Sequence, residues 1–419
     1  MKFIHAADIH LDSPLVGLQI YEGAPVEEIR GATRRALENL VELAATEKVD
    51  FVLLAGDLYD GDWKDYNTGL FLSAQMTRLR EEGIPVFIIS GNHDAASQIT
   101  KHLRMPDNVT SLSVRHPETV KIEKLGLAIH GQGYASRAVT DDLASGYPLA
   151  SPHHFNIGLL HTSLDGREGH ESYAPTSDGS LLSKGYDYWA LGHVHAREIV
   201  REEPWIVFPG NIQGRHIRET GPKGCMLVEE QDGRVIRVEH RELDVMRWAV
   251  AVVDAGRAAR GDDVNDAASK SLKNIMKENK ELPLAVRVEI MGTTKAHREL
   301  LSNPERWKSE LRAVATDISG GTMWLEKIRF ATREATSTTL GAKSEALVEL
   351  MSAVEGLSGN ADLVKTALEA LRDLNEKLPH ELKGGAESIR LDDPETVKRA
   401  AEGVRQVLME RILAGGVEL

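Results

Sequence analysis

Phe51-Val52-Leu53-Leu54-Ala55-Gly56-Asp57-Leu58-Tyr59-Asp60 is a short apolar run that closes on a glycine and an aspartate. A run of this length, free of charge and ended by a turn residue, reads as a strand buried on both faces. Upstream, Ala36, Leu37, Leu40, Val41 and Ala44 fall at helical spacing within 32–47. Before them, Lys2 to Ala7 is another short apolar run, and it ends in Asp8-Ile9-His10. Downstream the order repeats, with helical spacing over 68–81 and then Pro85-Val86-Phe87-Ile88-Ile89. Strand, helix and strand in alternation predict an α/β architecture, a sheet packed against helices.

Further strand-like runs follow at 128–130, 155–161, 188–191, 205–208, 225–229 and 235–239, the last two joined by the turn signal Asp232-Gly233. After Leu243 the character changes. Strand-like stretches at 248–254 and 283–290 alternate with helical spacing at 263–279 and 305–314, which predicts a small α/β domain. From Ser337 the chain is free of aromatic residues, and amphipathic helices are expected at 345–354, 361–374 and 394–413. The expected division is therefore 1–243, 244–335 and 336–419, with the last part helical.

At 419 residues, 42% hydrophobic and 27% charged, the composition is that of an ordinary globular chain. No apolar run approaches the roughly 18 residues needed to cross a bilayer, so no membrane association and a cytoplasmic location are expected. The one cysteine, Cys225, excludes an intramolecular disulfide and a multi-cysteine zinc site. A net charge of −14 argues against nucleic-acid binding over the whole surface and leaves a local basic track open. Of the 16 histidines, all but His297 and His380 precede residue 241, which directs the search for chemistry to the first part of the chain.

Five short motifs there each follow an apolar strand. They are Asp8-Ile9-His10, Gly56-Asp57, Gly91-Asn92-His93-Asp94, His161, and Gly192-His193-Val194-His195. The carboxyl ends of strands are where open α/β sheets place ligands. A period of two would put Asp8 and His10 on one side, and likewise His193 and His195. Glycines before Asp57, Asn92 and His193 permit the close backbone approach that a ligand cluster requires. Each motif alone has a bland reading as a turn cap or a hydrogen-bonded histidine; the conjunction argues for metal. A mixed nitrogen and oxygen set suits Mn, Fe or Zn better than Mg or Ca.

This series resembles the signature of the calcineurin-like metallophosphoesterases. Ala7-Asp8-Ile9-His10-Leu11-Asp12 and Ala55-Gly56-Asp57-Leu58-Tyr59-Asp60 are similar to the SbcD-type DNA-repair exonucleases. The stretch from His161 to Pro175 and Phe208-Pro209-Gly210-Asn211-Ile212-Gln213-Gly214-Arg215-His216-Ile217-Arg218 resemble the bacterial YhaO-like subgroup. The resemblance implies a four-layer α/β/β/α core followed by a capping domain. It also implies two divalent ions, with Mn2+ first and Fe or Zn as alternatives. One ion would take Asp8, His10, Asp57 and His195, and the other Asp57, Asn92, His161 and His193. His93 would then be the acid toward the leaving oxygen, and Asp60 either its orienting partner or a loop cap.

The ligand set does not distinguish DNA from other phosphoesters. Arg215, Arg218 and Lys223 are candidate phosphate contacts or else solvated loop charges, and Tyr134 is either a stacking platform for a base or a buried structural ring. The resemblance implies DNA as substrate, an SMC-like coiled-coil ATPase (an SbcC-like subunit) as partner, a homodimer, and docking through the helical tail. A metal-dependent DNA exonuclease or endonuclease is the leading expectation. A phosphatase or small-nucleotide phosphodiesterase, and a DNA-binding scaffold for such an ATPase, are the alternatives.

Overall fold

The computed structural model describes residues 1–13, 26–60, 66–96, 104–164, 173–280, 282–335 and 361–377, with 391, 393–398, 400, 401 and 404. In chain order, β1 (Lys2–Ala6), β2 (Phe51–Ala55), β3 (Val86–Ile89) and β4 (Val109–Ser111) build the centre and one edge of a first sheet. A second sheet takes β5 (Glu118–Ile122), β6 (Leu127–Gly131), β7 (Phe155–His161), β8 (Tyr188–Gly192), β9 (Glu198–Glu202) and β10 (Trp205–Phe208). The hairpin of β11 (Gly224–Gln231) and β12 (Arg234–Glu242) then returns to the first sheet. Its turn sets Asp232 and Gly233 both at positive φ, 54° and 77°, as the Asp-Gly signal requires.

The resulting orders are β12-β11-β1-β2-β3-β4 and β5-β6-β7-β8-β10-β9, two six-stranded sheets. β1 through β4 are parallel, and so are β6, β7, β8 and β10. Alternation along each central strand explains the continuous apolar runs. Phe51, Leu53 and Ala55 point into the core shared with the second sheet, together with Phe3, Phe87, Ile129, Ile157 and Tyr188. Val52 and Leu54 point the other way, into a core with Ala36, Leu37, Leu40 and Met76. Those residues lie on α1 (Val26–Glu47) and α2 (Tyr66–Glu81). Both faces of β2 are thus apolar because both are covered.

The outer face of the second sheet has a thinner cover. Leu160, Trp189, Leu191 and Phe208 pack with Ala144, Tyr147 and Leu181. Among the described residues and beyond loops, that cover comprises one 3-10 turn and the five-residue α4 (Asp178–Leu182). The layers therefore run α/β/β/α, as expected. A further short helix, α3 (Asn92–Ala96), starts directly after β3.

A third sheet, β13 (Arg247–Asp254), β14 (Leu284–Thr294) and β15 (Met323–Glu334), is wholly parallel. It is covered by α5 (Gly261–Glu278) and α7 (Pro304–Ser319), with α6 (His297–Ser302) between β14 and α7. Its core of Val286, Val288, Ile290, Leu272, Trp307 and Leu311 is separate from those above. A smaller cluster of Ile29, Ala32, Met246, Trp248 and Ala285 joins this sheet to α1.

Residues Met1–Ala335 form one compact unit and Thr336–Leu419 another. In the second, a helix spans Ala361–Lys377, where one was expected. The expected helix at 345–354, and most of that at 394–413, lie outside the described residues. Among the described residues, no helix is long and apolar enough to cross a membrane.

Candidate metal centre

β1, β2 and β3 of one sheet and β7 and β8 of the other bring their carboxyl ends to one rim of the sandwich. The backbone there is held tightly. Asp8 N–H donates to the Gly56 carbonyl at 3.0 Å, and His10 N–H to that of Asp57 at 3.0 Å. Gly91 and Gly192 are required by closeness: a Cβ on Gly91 would sit 2.3 Å from Asp57 Oδ1, and one on Gly192 would sit 2.0 Å from the Ala55 oxygen.

Asp8, His10 and His195 place ligand atoms within 4.8 Å of one another, and so do Asp8, Asp57 and His161. Asn92 joins the second group, its Oδ1 lying 3.0 Å from His161 Nε2. The His161 ring also lies 5.2 Å from that of His193. All the residues expected as ligands therefore converge, and Asp57 lies between the groups, its Oδ2 being 3.7 Å from His10 Nε2 and 3.5 Å from His161 Nε2.

The route to this arrangement differs from the strand alternation expected from sequence. Asp8 and His10 lie beyond the end of β1, with φ of 52° and 45°, and His193 has φ of 102°. Left-handed backbone abolishes the period of two. His193 consequently turns toward His161, while the His195 ring lies 5.0 Å from that of His10. The two histidines, two residues apart, face opposite halves of the site.

Two features show that the residues fit divalent cations. Asp8 and Asp57 are 1% and 2% exposed. Burial, with the neighbouring Asp57 charge, raises the Asp8 carboxyl well above its ordinary value, and burial pushes Asp57 up to about 6. Buried acids of this kind ionise readily only beside added positive charge. Secondly, His195 Nε2 is an acceptor because Nδ1 donates to Glu219, and it faces His10 Nε2 at 3.2 Å, close enough for one cation to take both nitrogens. Burial lowers His161 to about 3 and His10 well below the ordinary histidine value, so both are neutral imidazoles at pH 7, the form in which histidine binds a metal. Outer nitrogens are fixed in the manner of metal-site histidines. His161 Nδ1 donates to the Ala55 carbonyl at 2.9 Å, and His195 Nδ1 to Glu219 Oε1 at 2.7 Å.

His93 stands at the edge of the site, its side chain 30% exposed, with Nδ1 2.9 Å from Asp60 Oδ1. Burial pulls its imidazole down, but the Asp60 hydrogen bond and the charges of Asp57 and Asp60 outweigh burial, and His93 holds its proton above the ordinary range. Asp60 stays ionised. Burial opposes its charge, yet the His10 ring 3.6 Å away, the His93 hydrogen bond and the Arg215 charge keep it far below the usual carboxylate value. Asp94 instead braces the loops, accepting from the backbone N–H groups of Leu58, Tyr59 and Gly91 at 2.9, 3.0 and 3.0 Å.

The substrate-contact candidates separate. Arg215 reaches the site, with Nη1 3.8 Å from Asp60 Oδ2. Arg218 is exposed. Lys223 is 8% exposed and donates to the His195 carbonyl at 3.1 Å, so it braces the site and is withdrawn from a ligand. Tyr134 does not offer a face to a base: it is 1% exposed, and its hydroxyl donates to the His161 carbonyl at 2.8 Å. Sequence reading missed Glu219, which no ligand spacing marks and which lies 24 residues beyond the histidine it holds.

A sandwich rim carrying these motifs defines a metallophosphoesterase, and residues 1–197 match the calcineurin-like phosphoesterase family. Residues 248–333 match the middle domain of metallophosphoesterase YhaO. The chain is 37% identical over 297 residues to the uncharacterized metallophosphoesterase YhaO of Bacillus subtilis (strain 168), covering 70% of this chain and 72% of that protein. The chain belongs to the calcineurin-like metallophosphoesterases, in the YhaO-like subgroup. It is also 25% identical over 289 residues to the DNA double-strand break repair protein Mre11 of Methanopyrus kandleri, covering 61% of this chain and 60% of that one. Similar solved structures include TT1561 of Thermus thermophilus, at 15% identity and TM-score 0.35 over 58% of this chain and 98% of that one. Another is a dimetal phosphatase from Danio rerio, at 11% identity and TM-score 0.34 over 55% and 93%.

Proposed function

We propose that this chain is a metal-dependent phosphodiesterase that cuts DNA, as an exonuclease or endonuclease in repair, with Mn2+ as its preferred ion. The observation that carries the hydrolytic reading is the placement of Asp57 between two ligand groups, with the His93–Asp60 pair beside it. Divalent ions held there supply Lewis acidity toward the phosphate and the attacking water. Asp8, His10, Asp57 and His195 would hold one ion, and Asp57, Asn92, His161 and His193 the other.

The chain's own groups supply the rest. Asp60 engages His93 Nδ1 and so leaves Nε2 to face the substrate. Asp60 also raises the proton affinity of His93, which favours the charged form that can give a proton to the leaving oxygen. Buried Asp57 receives the His93 backbone N–H at 3.0 Å, which ties the acid's position to the ligand cluster.

DNA as the substrate is supported by the likeness to Mre11 and by the additional domain after β12, which a minimal phosphatase does not need. The test is to incubate Mn-loaded protein with labelled single- and double-stranded DNA and, in parallel, with an aryl phosphodiester. Metal-dependent shortening of DNA is expected. Cleavage of the small diester with DNA left intact would replace the nuclease by a small-molecule phosphodiesterase. We further propose an SMC-like ATPase as partner, docked on residues after Ser337, whose sequence is amphipathic. A pull-down with those residues deleted should lose the ATPase; undiminished capture would refute docking there.

A further inference from the structure

The loop after β10 carries a second set of polar groups that metal binding alone does not require. Glu219 is 5% exposed. Its Oε1 accepts from His195 Nδ1 at 2.7 Å and from Arg215 Nη2 at 3.3 Å. Its Oε2 accepts from the Arg215 backbone N–H at 2.7 Å and from Asn211 Nδ2 at 2.9 Å. One buried carboxylate therefore fixes both a proposed metal ligand and a guanidinium.

The Arg215 side chain is 11% exposed and lies 3.8 Å from Asp60, the carboxylate that holds His93. Its Nε is buried and has no hydrogen-bond partner among the described residues. Guanidinium is charged at every working pH and offers donors in a planar fork. A buried donor left unpaired is unfavourable, and a charged one more so. If Arg215 served only to neutralise Glu219 and Asp60, its Nη groups would suffice and Nε would be wasted. Nε meets no acceptor among the described residues, and a phosphoryl group at the adjacent metal site would supply one.

The loop is also braced from behind. Trp248 Nε1 donates to the Gly214 carbonyl at 3.1 Å, and Gln213 Nε2 to that of Met246 at 2.8 Å. β13 and the residues before it thus hold the segment that presents Arg215, so the guanidinium is in place before a ligand arrives. Fixed donors of this kind stabilise charge that develops in a transition state.

The geometry points to Arg215 as the residue that clamps the non-bridging oxygens of the scissile phosphate, with Glu219 as the positioning residue that aims it while orienting His195. This rests on the reading of the rim as a phosphodiesterase site. The clamp would act on any phosphoester and is indifferent to whether the rest of the substrate is DNA.

The test uses the full-length protein loaded with Mn2+, and Arg215→Gln, Arg215→Lys and Glu219→Gln variants. Three quantities are read: Mn per chain, affinity for inorganic phosphate by calorimetry, and kcat and KM on an aryl phosphodiester. All variants are expected to keep their metal. Arg215→Gln should lose about 100-fold in kcat and at least about tenfold in phosphate affinity. Arg215→Lys should recover only part of both, because a point charge lacks the fork. Glu219→Gln should lower kcat by roughly 10–100-fold with KM less affected.

A metal-loaded Arg215→Gln protein that binds phosphate and turns over like the wild type overturns the clamp, and so does one whose metal is lost. Equal performance by Lys and Arg overturns the fork. Wild-type protein that binds phosphate through Arg215 but hydrolyses no diester leaves the clamp standing and removes the hydrolase reading instead.

Discussion

The metal-facing rim and the three-stranded sheet of β13–β15 lie within one compact unit and are stabilised in opposite ways. At the rim, Asp8, His10, Asp12, Asp57 and His193 all take positive φ, from 45° to 102°. Each such position costs on the order of 1–3 kcal/mol and persists only where surroundings over-determine it. Buried acids lie side by side there, Asp8 raised in pKa by burial and by the Asp57 charge. The strands of the third sheet contain no non-glycine residue at positive φ among the described residues. Its core is apolar apart from such satisfied groups as Arg287, whose guanidinium meets Glu326 at 2.8 and 2.9 Å. Local order at the rim is thus arranged for a bound cation, whereas the third sheet is complete in itself.

The comparison can be broken most strongly at Asp57. Asp57→Ala should lose both ions and at least about 10³-fold in hydrolysis, since metal ions contribute several kcal/mol of transition-state stabilisation. Full metal content in that variant, measured by elemental analysis, would reject Asp57 as the shared ligand. His93→Ala should keep its metal and lose roughly 10²–10⁴-fold in kcat. Unchanged turnover would remove the acid from the account.

In the third sheet the expected signs reverse. Glu326→Ala strands a buried guanidinium and should cost about 3 kcal/mol in chemical denaturation. The folded variant's kcat should match the wild type, and a fall in kcat at full occupancy would show that the regions are coupled.

Two smaller effects concern protons. Asp60 stabilises the charged form of His93, so Asp60→Asn lowers that pKa. Activity that needs protonated His93 is lost as pH rises through this value, so the alkaline limb of the pH–rate profile should move to lower pH, with about tenfold less turnover near neutrality. A limb that stays in place would dissociate it from His93. Metal-free protein offers the other titration. Burial raises Asp57 to about 6 and, joined by the Asp57 charge, raises Asp94 to about 7. A carboxyl with a raised folded pKa adds stability below about pH 4, which disappears as pH climbs through the folded value. Histidines that burial holds neutral, His161 at about 3 among them, act in the opposite sense over the same range, so the carboxyl effect is read as a difference: the Tm of the metal-free wild type relative to metal-free Asp94→Asn should fall by about 2–4 °C between pH 4 and 7. Parallel curves for the two proteins would contradict a raised Asp94 carboxyl.

The sandwich was legible in sequence because β1, β2, β3, β7 and β8 are almost wholly buried and read as largely apolar runs. β15 was not. Its Trp324-Leu325-Glu326-Lys327-Ile328-Arg329-Phe330 mixes charges into both faces, one of them a buried pairing partner across the sheet, and a register shift beside Val286 and Arg287 disrupts alternation further. β9 was hidden in the same way, since Glu198, Arg201 and Glu202 lie on an edge strand. At the site, residues next to strand ends could be read because chain order places them there. The partition of His193 from His195 came only from the family resemblance, because strand alternation puts both on one side and the split depends on a left-handed residue that is not glycine. Glu219 was invisible for a different reason: its role exists only after the loop folds back on His195.

Anomalous scattering from crystals of the Mn-loaded protein tests the central claim most directly. Two peaks about 3.5–4 Å apart are expected, with Asp57 between them, His10 and His195 on one, and Asn92, His161 and His193 on the other. A single peak, or a pair that excludes Asp57, would contradict it.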